Sequence, residues 1–377
     1  ALLCCISFSL MLKAQDAAYL IHYEKSQYIS TPRYNETIEF CRKLEKATPM
    51  LQYSSFGKSP EGRDLPLLIA DKNHNFTPEA VRKSGNAVLL IQACIHAGES
   101  DGKDAGLMLL RDIAIYKKNF DLLDHVTILF IPILNTDGHE RFGPYNRINQ
   151  NGPEEMGWRT TAQNLNLNRD FMKADAPEMK AWLTLYNKWL PEFFVDCHVT
   201  DGADFQYTMT YGLETKGNME KGLTSWTTNV CEKYLVDEMK KSGFPIFPYV
   251  QFRNWHDPRS GLTVNVAPPM LSTGYTSVQN RPGLLIETHM LKPYKARVSS
   301  TYTMLIHTLE LLNKEYKTLQ SIEDKADVFT SGEQFRKEPF AVNYSESFAD
   351  STLIDFLGFD YTIETSDLTG GLWFKYN

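Results

Sequence analysis

His96 and Glu99 stand in Cys94-Ile95-His96-Ala97-Gly98-Glu99, directly after an unbroken apolar run, Ala87 to Ala93. An imidazole and a carboxylate three residues apart in a tight turn can converge on one cation, and Gly98 lets the backbone bend between them. Spacing alone does not select this pair, because His307 and Glu310 share it. Those two fall in the middle of a helical pattern with no strand before them, and they read as a solvated helix face. Position separates the two pairs: in open α/β sheets, ligands bind beyond the carboxyl ends of strands.

Two further strand ends carry chemistry. His198 closes Glu192-Phe193-Phe194-Val195-Asp196-Cys197-His198, and Glu287 closes Gly283-Leu284-Leu285-Ile286-Glu287. Taken by itself, His198 reads as readily as a satisfied core histidine. A carboxylate at the end of an apolar run is costly unless it is paired or functional. Two His, one Glu and an open water position make a catalytic zinc set, and a further carboxylate supplies a general base. The expectation is one Zn²⁺ held by His96, Glu99 and His198, with Glu287 beside it. No HExxH occurs, so the helix-borne zinc protease motif is absent. His139, His256 and His289 fall in or near loops and read as surface or supporting residues.

The elements that must position these residues alternate along the chain. A helix is expected around Thr37 to Ala47. Phe56 to Arg63 reads as a hairpin connection into a strand over Leu65 to Ala70. Ala87 to Ala93, Val126 to Leu134, Phe193 to Cys197 and Leu284 to Glu287 read as buried strands. Helices are expected over Asp104 to Tyr116, Pro177 to Leu190, Met219 to Ser242 and Ala296 to Leu319. Strands alternating with helices predict an α/β fold, a twisted mixed parallel/antiparallel sheet with helices on both faces. After Ile322 the character changes. Phe340 to Tyr344, Tyr361 to Glu364 and Gly370 to Lys375 read as strands of a short β-rich C-terminal extension, residues 323–377, following a catalytic domain over residues 15–322.

With 42% hydrophobic residues the chain has enough apolar side chains for a large core, and its net charge of −7 does not suggest a nucleic-acid binder, which would normally show a basic stripe. Ala1 to Leu12 is almost wholly apolar, and Lys13-Ala14-Gln15 follows. That reads as the core of a signal peptide with a truncated start, cleaved after Ala14, which implies a secreted or periplasmic protein. The stretch is too short for a membrane span, so no stable membrane insertion is expected. Cys41, Cys94, Cys197 and Cys231 permit two disulfides by number. Cys94 and Cys197 lie in apolar strands and read as buried thiols.

At these residues the chain resembles the zinc carboxypeptidase family, the carboxypeptidase A-like metallocarboxypeptidases, over roughly residues 20 to 320. Six ordered blocks carry the resemblance. Phe56-Gly57-Lys58-Ser59-Pro60-Glu61-Gly62-Arg63 resembles the early hairpin motif, and His96-Ala97-Gly98-Glu99 the HxxE metal motif. Asn135-Thr136-Asp137-Gly138 is similar to the NPDG turn, with Thr for Pro. Gly157-Trp158-Arg159 resembles the segment with the electrophilic arginine, and Leu167-Asn168-Arg169 the LNR motif. His198 and Glu287 occupy the places of the third ligand and the catalytic glutamate.

The resemblance implies a bacterial-type secreted enzyme that hydrolyses the last peptide bond of a peptide with a free C-terminal carboxylate. Glu287 would take the proton of the attacking water, Arg159 would stabilise the oxyanion, and Asn168 with Arg169 would clamp the terminal carboxylate. There are departures. Asn166 stands where the family has an Asp that orients a metal-bound His, so that hydrogen bond would carry no charge. Gly98 stands where some members carry an arginine. Tyr275 is the candidate for the mobile tyrosine that closes over substrate. Two other readings use the same residues: a zinc amidase acting on cell-wall peptides or acylated amino acids, and a non-catalytic binding protein that keeps the fold.

Overall fold

The computed structural model describes residues 18–255, 257–345, 347 and 351–376. The apolar start, Ala1 to Ala14, and His256 lie outside the described residues.

Ten strands belong to the main body: β1 (Leu51–Lys58), β2 (Asp64–Ala70), β3 (Ala87–Gln92), β4 (Val126–Ile131), β5 (Phe193–Thr200), β6 (Met209–Leu213), β7 (Ile246–Pro248), β8 (Gln251–Phe252), β9 (Leu262–Thr263) and β10 (Gly283–His289). Eight form one sheet in the order β1-β2-β4-β3-β5-β10-β6-β7. The centre, β4-β3-β5-β10, is parallel. β1-β2, β2-β4 and β10-β6 are antiparallel, so the sheet is mixed, as expected. The β8-β9 ribbon stands apart.

The unbroken apolar runs arise because the central strands are covered on both faces. Leu89, Ile91 and Val195 point into one core with residues of helices Tyr34–Ala47, Asp101–Ala114 and Tyr294–Ser331. Val88, Leu90 and Phe194 point into the other, with Trp182 and Tyr186 of helix Pro177–Trp189. The parallel centre puts the ends of β3, β5 and β10 at one edge of the sheet. The four described cysteines are free and buried.

Several elements differ from the sequence expectation. The region expected as one helix, Met219 to Ser242, is Lys221–Trp226, a π-helical segment Thr227–Glu232, and Lys233–Lys241. The helix expected over Ala296 to Leu319 continues past Ile322 to Ser331, keeping Glu323 and Ala326 buried. Helix Ser272–Val278 and the short strands β6 to β9 were not anticipated, being too brief for a periodicity signal. Phe340 to Tyr344 is not a strand: the segment is exposed, and Ala341 O accepts from Asn218 Nδ2 instead of from a neighbouring strand. Tyr361–Thr365 and Leu372–Tyr376 do pair, as β11 and β12 of a separate hairpin. Between them and the long helix, Phe356 packs among Phe205, Tyr207 and Phe247.

The helix that follows Glu99 runs very close to the sheet. A Cβ on Gly106 would stand 2.3 Å from the Phe130 ring. Gly106→Val gains less than about 1 kcal/mol in helix propensity but overpacks a filled core, which costs about 1–3 kcal/mol. A net loss of stability is expected in chemical denaturation; an unchanged midpoint would show that the helix can lift off β4.

Candidate metal centre

Nδ1 of His96 and Nδ1 of His198 lie 3.3 Å apart. Each is 3.0 Å from a different oxygen of Glu99, His96 from Oε1 and His198 from Oε2. Two nitrogens bonded tetrahedrally to zinc at 2.0–2.1 Å stand about 3.3 Å from each other. All three side chains are buried. Among the described residues this is the only group of three or more His, Cys, Asp or Glu whose donor atoms come close enough together to share an ion. The spacing and the His₂Glu chemistry fit zinc.

Local structure aims each ligand. Where β3 ends, Cys94 adopts a left-handed φ of 54°, a conformation that costs a non-glycine residue about 1–2 kcal/mol and here turns the chain into the ligand loop. Glu99 N–H then closes the turn onto His96 O at 3.0 Å. Val199 N–H donates to Glu99 Oε2 (3.0 Å) and Arg147 donates to Oε1 (2.7 Å). Arg147 also donates to Val199 O and Gln150 Oε1, so it ties the ligand loop to β5. A side chain at Gly98 would meet the Arg147 stem and Gly157 O at under 3 Å, which explains the glycine there. On β5, His198 Nε2–H donates to Asp196 Oδ2 (2.8 Å), whose Oδ1 accepts from Gln92 Nε2 (2.9 Å).

The electrostatics follow from this packing. Burial opposes ionisation of Glu99, but His96, Arg147 and His198 outweigh it and hold the carboxyl well below the usual range. Burial lowers His96. For His198, Asp196 overcomes burial and raises the imidazole.

Glu287 pairs in register with His198 across β10 and β5. Burial pushes its carboxyl up to about 8, with His198 opposing and Glu99 adding to the rise. Arg159 reaches Glu99 Oε1 at 3.6 Å, with its side chain 40% exposed. Burial lowers its pKa, and the charges acting on it include Glu99, Arg147, Arg169 and Glu287. Asn168 and Arg169 form a 3₁₀ turn in which Asn166 Oδ1 accepts from Asn168 N–H. Asn168 Oδ1 is buried without a hydrogen-bond partner among the described residues, while Arg169 is exposed.

The hairpin and turn blocks upstream hold Arg159 in place. Asn135 caps the short helix Thr136–Glu140 through Gly138 N–H and donates Nδ2 to Arg159 O. Trp158 N–H donates to Gly138 O, and a side chain at Gly138 would strike Thr160 O and Trp158 O. Asp137 in turn accepts from Ser59 Oγ, Glu61 N–H and Arg63, so the hairpin block is clasped to the turn block.

Tyr275 sits on helix Ser272–Val278 with its ring against Phe171, Trp182 and Tyr186. Its phenol is raised by burial alone. Tyr249 is the tyrosine among the site's charges: burial first, then Glu287, Asp201 and Glu99, push it up to about 12, against a hydrogen bond from Thr200.

Three other histidines have partners of their own. His307, on the long helix, is bonded to Glu310 of that helix and to Ser242, which follows helix Lys233–Lys241. His139 is not at the surface: it is fully buried, accepts from Lys103 Nζ and is lowered to about 3, chiefly by burial. His289 is buried and bonded to Ala203 O.

Sequence reasoning missed Asp196, Gln92, Arg147 and Tyr249. Asp196 had a legible signal, being a carboxylate two residues before His198 and therefore on the same strand face. Arg147 and Tyr249 lie in irregular segments, where no periodicity points inward.

Residues 37–210 match the family model described as Peptidase_M14, zinc carboxypeptidase. Carboxypeptidase 2 of Trichophyton rubrum is 25% identical over 233 residues, which is 59% of this chain and 40% of the fungal protein. The chain therefore spans well under two thirds of that relative. The metallo-carboxypeptidase from Burkholderia cenocepacia superposes with a TM-score of 0.54 at 17% identity, covering 74% of this chain and 69% of the other. Carboxypeptidase A from Helicoverpa armigera gives 0.53 at 15%, covering 84% and 81%. At these identities the likeness establishes the fold.

Metal analysis after dialysis against trace zinc is expected to give one zinc per chain. His198→Ala and Glu99→Ala should abolish retention, and His307→Ala should leave it unchanged. Retention that survives His198→Ala would remove the centre described here.

Proposed function

We propose, for a chain whose residues 37–210 match the zinc carboxypeptidase family model, that it is a metallocarboxypeptidase hydrolysing the C-terminal peptide bond of peptides, with one Zn²⁺ held by His96, Glu99 and His198. The observation that carries this reading is the strand register that sets Glu287 directly beside His198. A ligand cluster and a proton acceptor thereby share one edge of the sheet. Zinc, when bound, supplies Lewis-acid polarisation of a carbonyl and activation of water at neutral pH.

The chain's own residues do the rest. Glu287 takes the proton of the attacking water and returns it to the leaving amine. Arg159, close to Glu99 but still partly exposed, stabilises negative charge as it develops on the carbonyl oxygen. Asn168 and Arg169 hold the substrate's terminal carboxylate, since a guanidinium matches a carboxylate as a two-pronged donor. An endopeptidase needs no such clamp.

Glu287→Gln is expected to keep its zinc and lose about 10²–10⁴-fold in kcat; unchanged turnover would refute its role. Hydrogen bonds to charged groups contribute about 1.5–3 kcal/mol. Arg169→Ala should therefore lower kcat/KM about 10–100-fold for peptides with a free C-terminus and leave C-terminally amidated ones untouched. Equal losses on both would point to a substrate without a terminal carboxylate.

A further inference from the structure

We infer that Asp196 is the positioning residue of the metal centre: it fixes His198 with Nδ1 as the donor atom, a task the resemblance assigns instead to an Asp at the position of Asn166. The inference rests on the metal-centre reading above and deepens it.

Asp196 and His198 alternate along β5, so both side chains emerge on one face of the strand. The contact between Asp196 Oδ2 and His198 Nε2 is 2.8 Å. A carboxylate can only accept there, so Nε2 keeps its proton in every state of the ring and Nδ1 is the one ring nitrogen able to present a lone pair to an ion. That Nδ1 is the atom facing Glu99 and His96. The carboxylate is itself locked. Its other oxygen accepts from Gln92 Nε2 at 2.9 Å, on the residue that pairs with Asp196 in the β3–β5 register, and Asp196 is fully buried.

The other histidine presents the opposite picture. Nε2 of His96 is buried without a hydrogen-bond partner among the described residues. Asn166, which the resemblance would put to this use, spends its side-chain oxygen on Asn168 N–H at 3.1 Å, shaping the Leu167–Arg169 turn. An amide there brings no charge in any case. Among the described residues, the one carboxylate bonded to a ligand imidazole on the side away from the cluster is thus Asp196. A carboxylate partner fixes the tautomer and ring orientation and makes the ligand more basic, and its loss typically weakens metal binding 10–100-fold. His198 is the stronger and better-held nitrogen donor of the two.

The test is zinc affinity, read by competition with a chromophoric chelator on the full chain. Asp196→Asn removes the charge at nearly constant shape, and Gln92, whose Oε1 has no partner among the described residues, can turn to accept from the new amide. The dissociation constant for zinc is expected to rise about 10–100-fold, while Asn166→Ala changes it less than about threefold. An unchanged constant in Asp196→Asn, or an equal loss in Asn166→Ala, overturns the inference. Should Asp196→Asn fail to fold, imidazole nitrogen NMR of the zinc-loaded wild-type protein decides. A strongly deshielded Nε2–H on His198 and not on His96 supports the assignment; the same deshielding on both rings, or on His96 alone, overturns it. Failure of the metal-centre reading is distinguishable, because the wild-type chain would then retain no zinc at all.

Discussion

The site leans on one buried carboxylate. Taking an ion such as Glu99 out of water costs several kcal/mol even after relaxation. At 2% exposure it must recover that cost from fixed donors. It does so from separate segments: the backbone of β5 at Val199, the loop carrying Arg147, and the imidazoles at the ends of β3 and β5. Any arrangement that keeps Glu99 ionised therefore also keeps these segments in register. The candidate ligands are not three side chains that happen to meet; they converge on a group that would be unstable without them.

A second buried layer holds the strand ends from behind. Asp101 opens the helix after the ligand loop and pairs with Arg297, which is itself fully buried. Arg297 donates further to the carbonyls of Asn151, Gly152, Met290 and Lys292. Thr288, next to Glu287, donates to Asp101 Oδ2 at 2.6 Å. Nearby, Asp104 accepts from Tyr294 and Thr31. The long C-terminal helix is thus bonded to the N-terminus of the helix after Glu99 and to the end of β10. Satisfied networks of this kind rigidify, because each partner lost would leave another buried group unpaired. They keep the general-base candidate and the ligands at a constant separation.

The arginines are positioned by a different device. Arg159 comes from an irregular segment, where no helix or strand fixes its direction. Its segment is threaded past Gly138 and Gly157, where a Cβ would strike backbone atoms, and hung from Asn135. Asp137 extends the clasp to Ser59 and Arg63. Residues that look remote from the chemistry in sequence are in this way the support for a cation beside Glu99.

The chain by itself determined the mixed α/β sheet, its four central strands and the ligand turn. Those strands are covered on both faces, so their apolar runs are uninterrupted, and the polar residues that close them stand out. Short strands, the π-helical interruption and the 272–278 helix left no comparable trace, because a few residues carry no period. The strand expected over Phe340 to Tyr344 failed for the complementary reason: β-propensity makes no strand where no neighbour offers a ladder. Which atoms meet was decided only by the tertiary structure. The β5–β10 register put Glu287 beside His198, and packing of irregular segments brought Arg147 to Glu99 and Tyr249, not Tyr275, into the field of Glu287. Such contacts join residues tens to hundreds of positions apart, and their geometry depends on how whole elements pack, which no local pattern in the chain records.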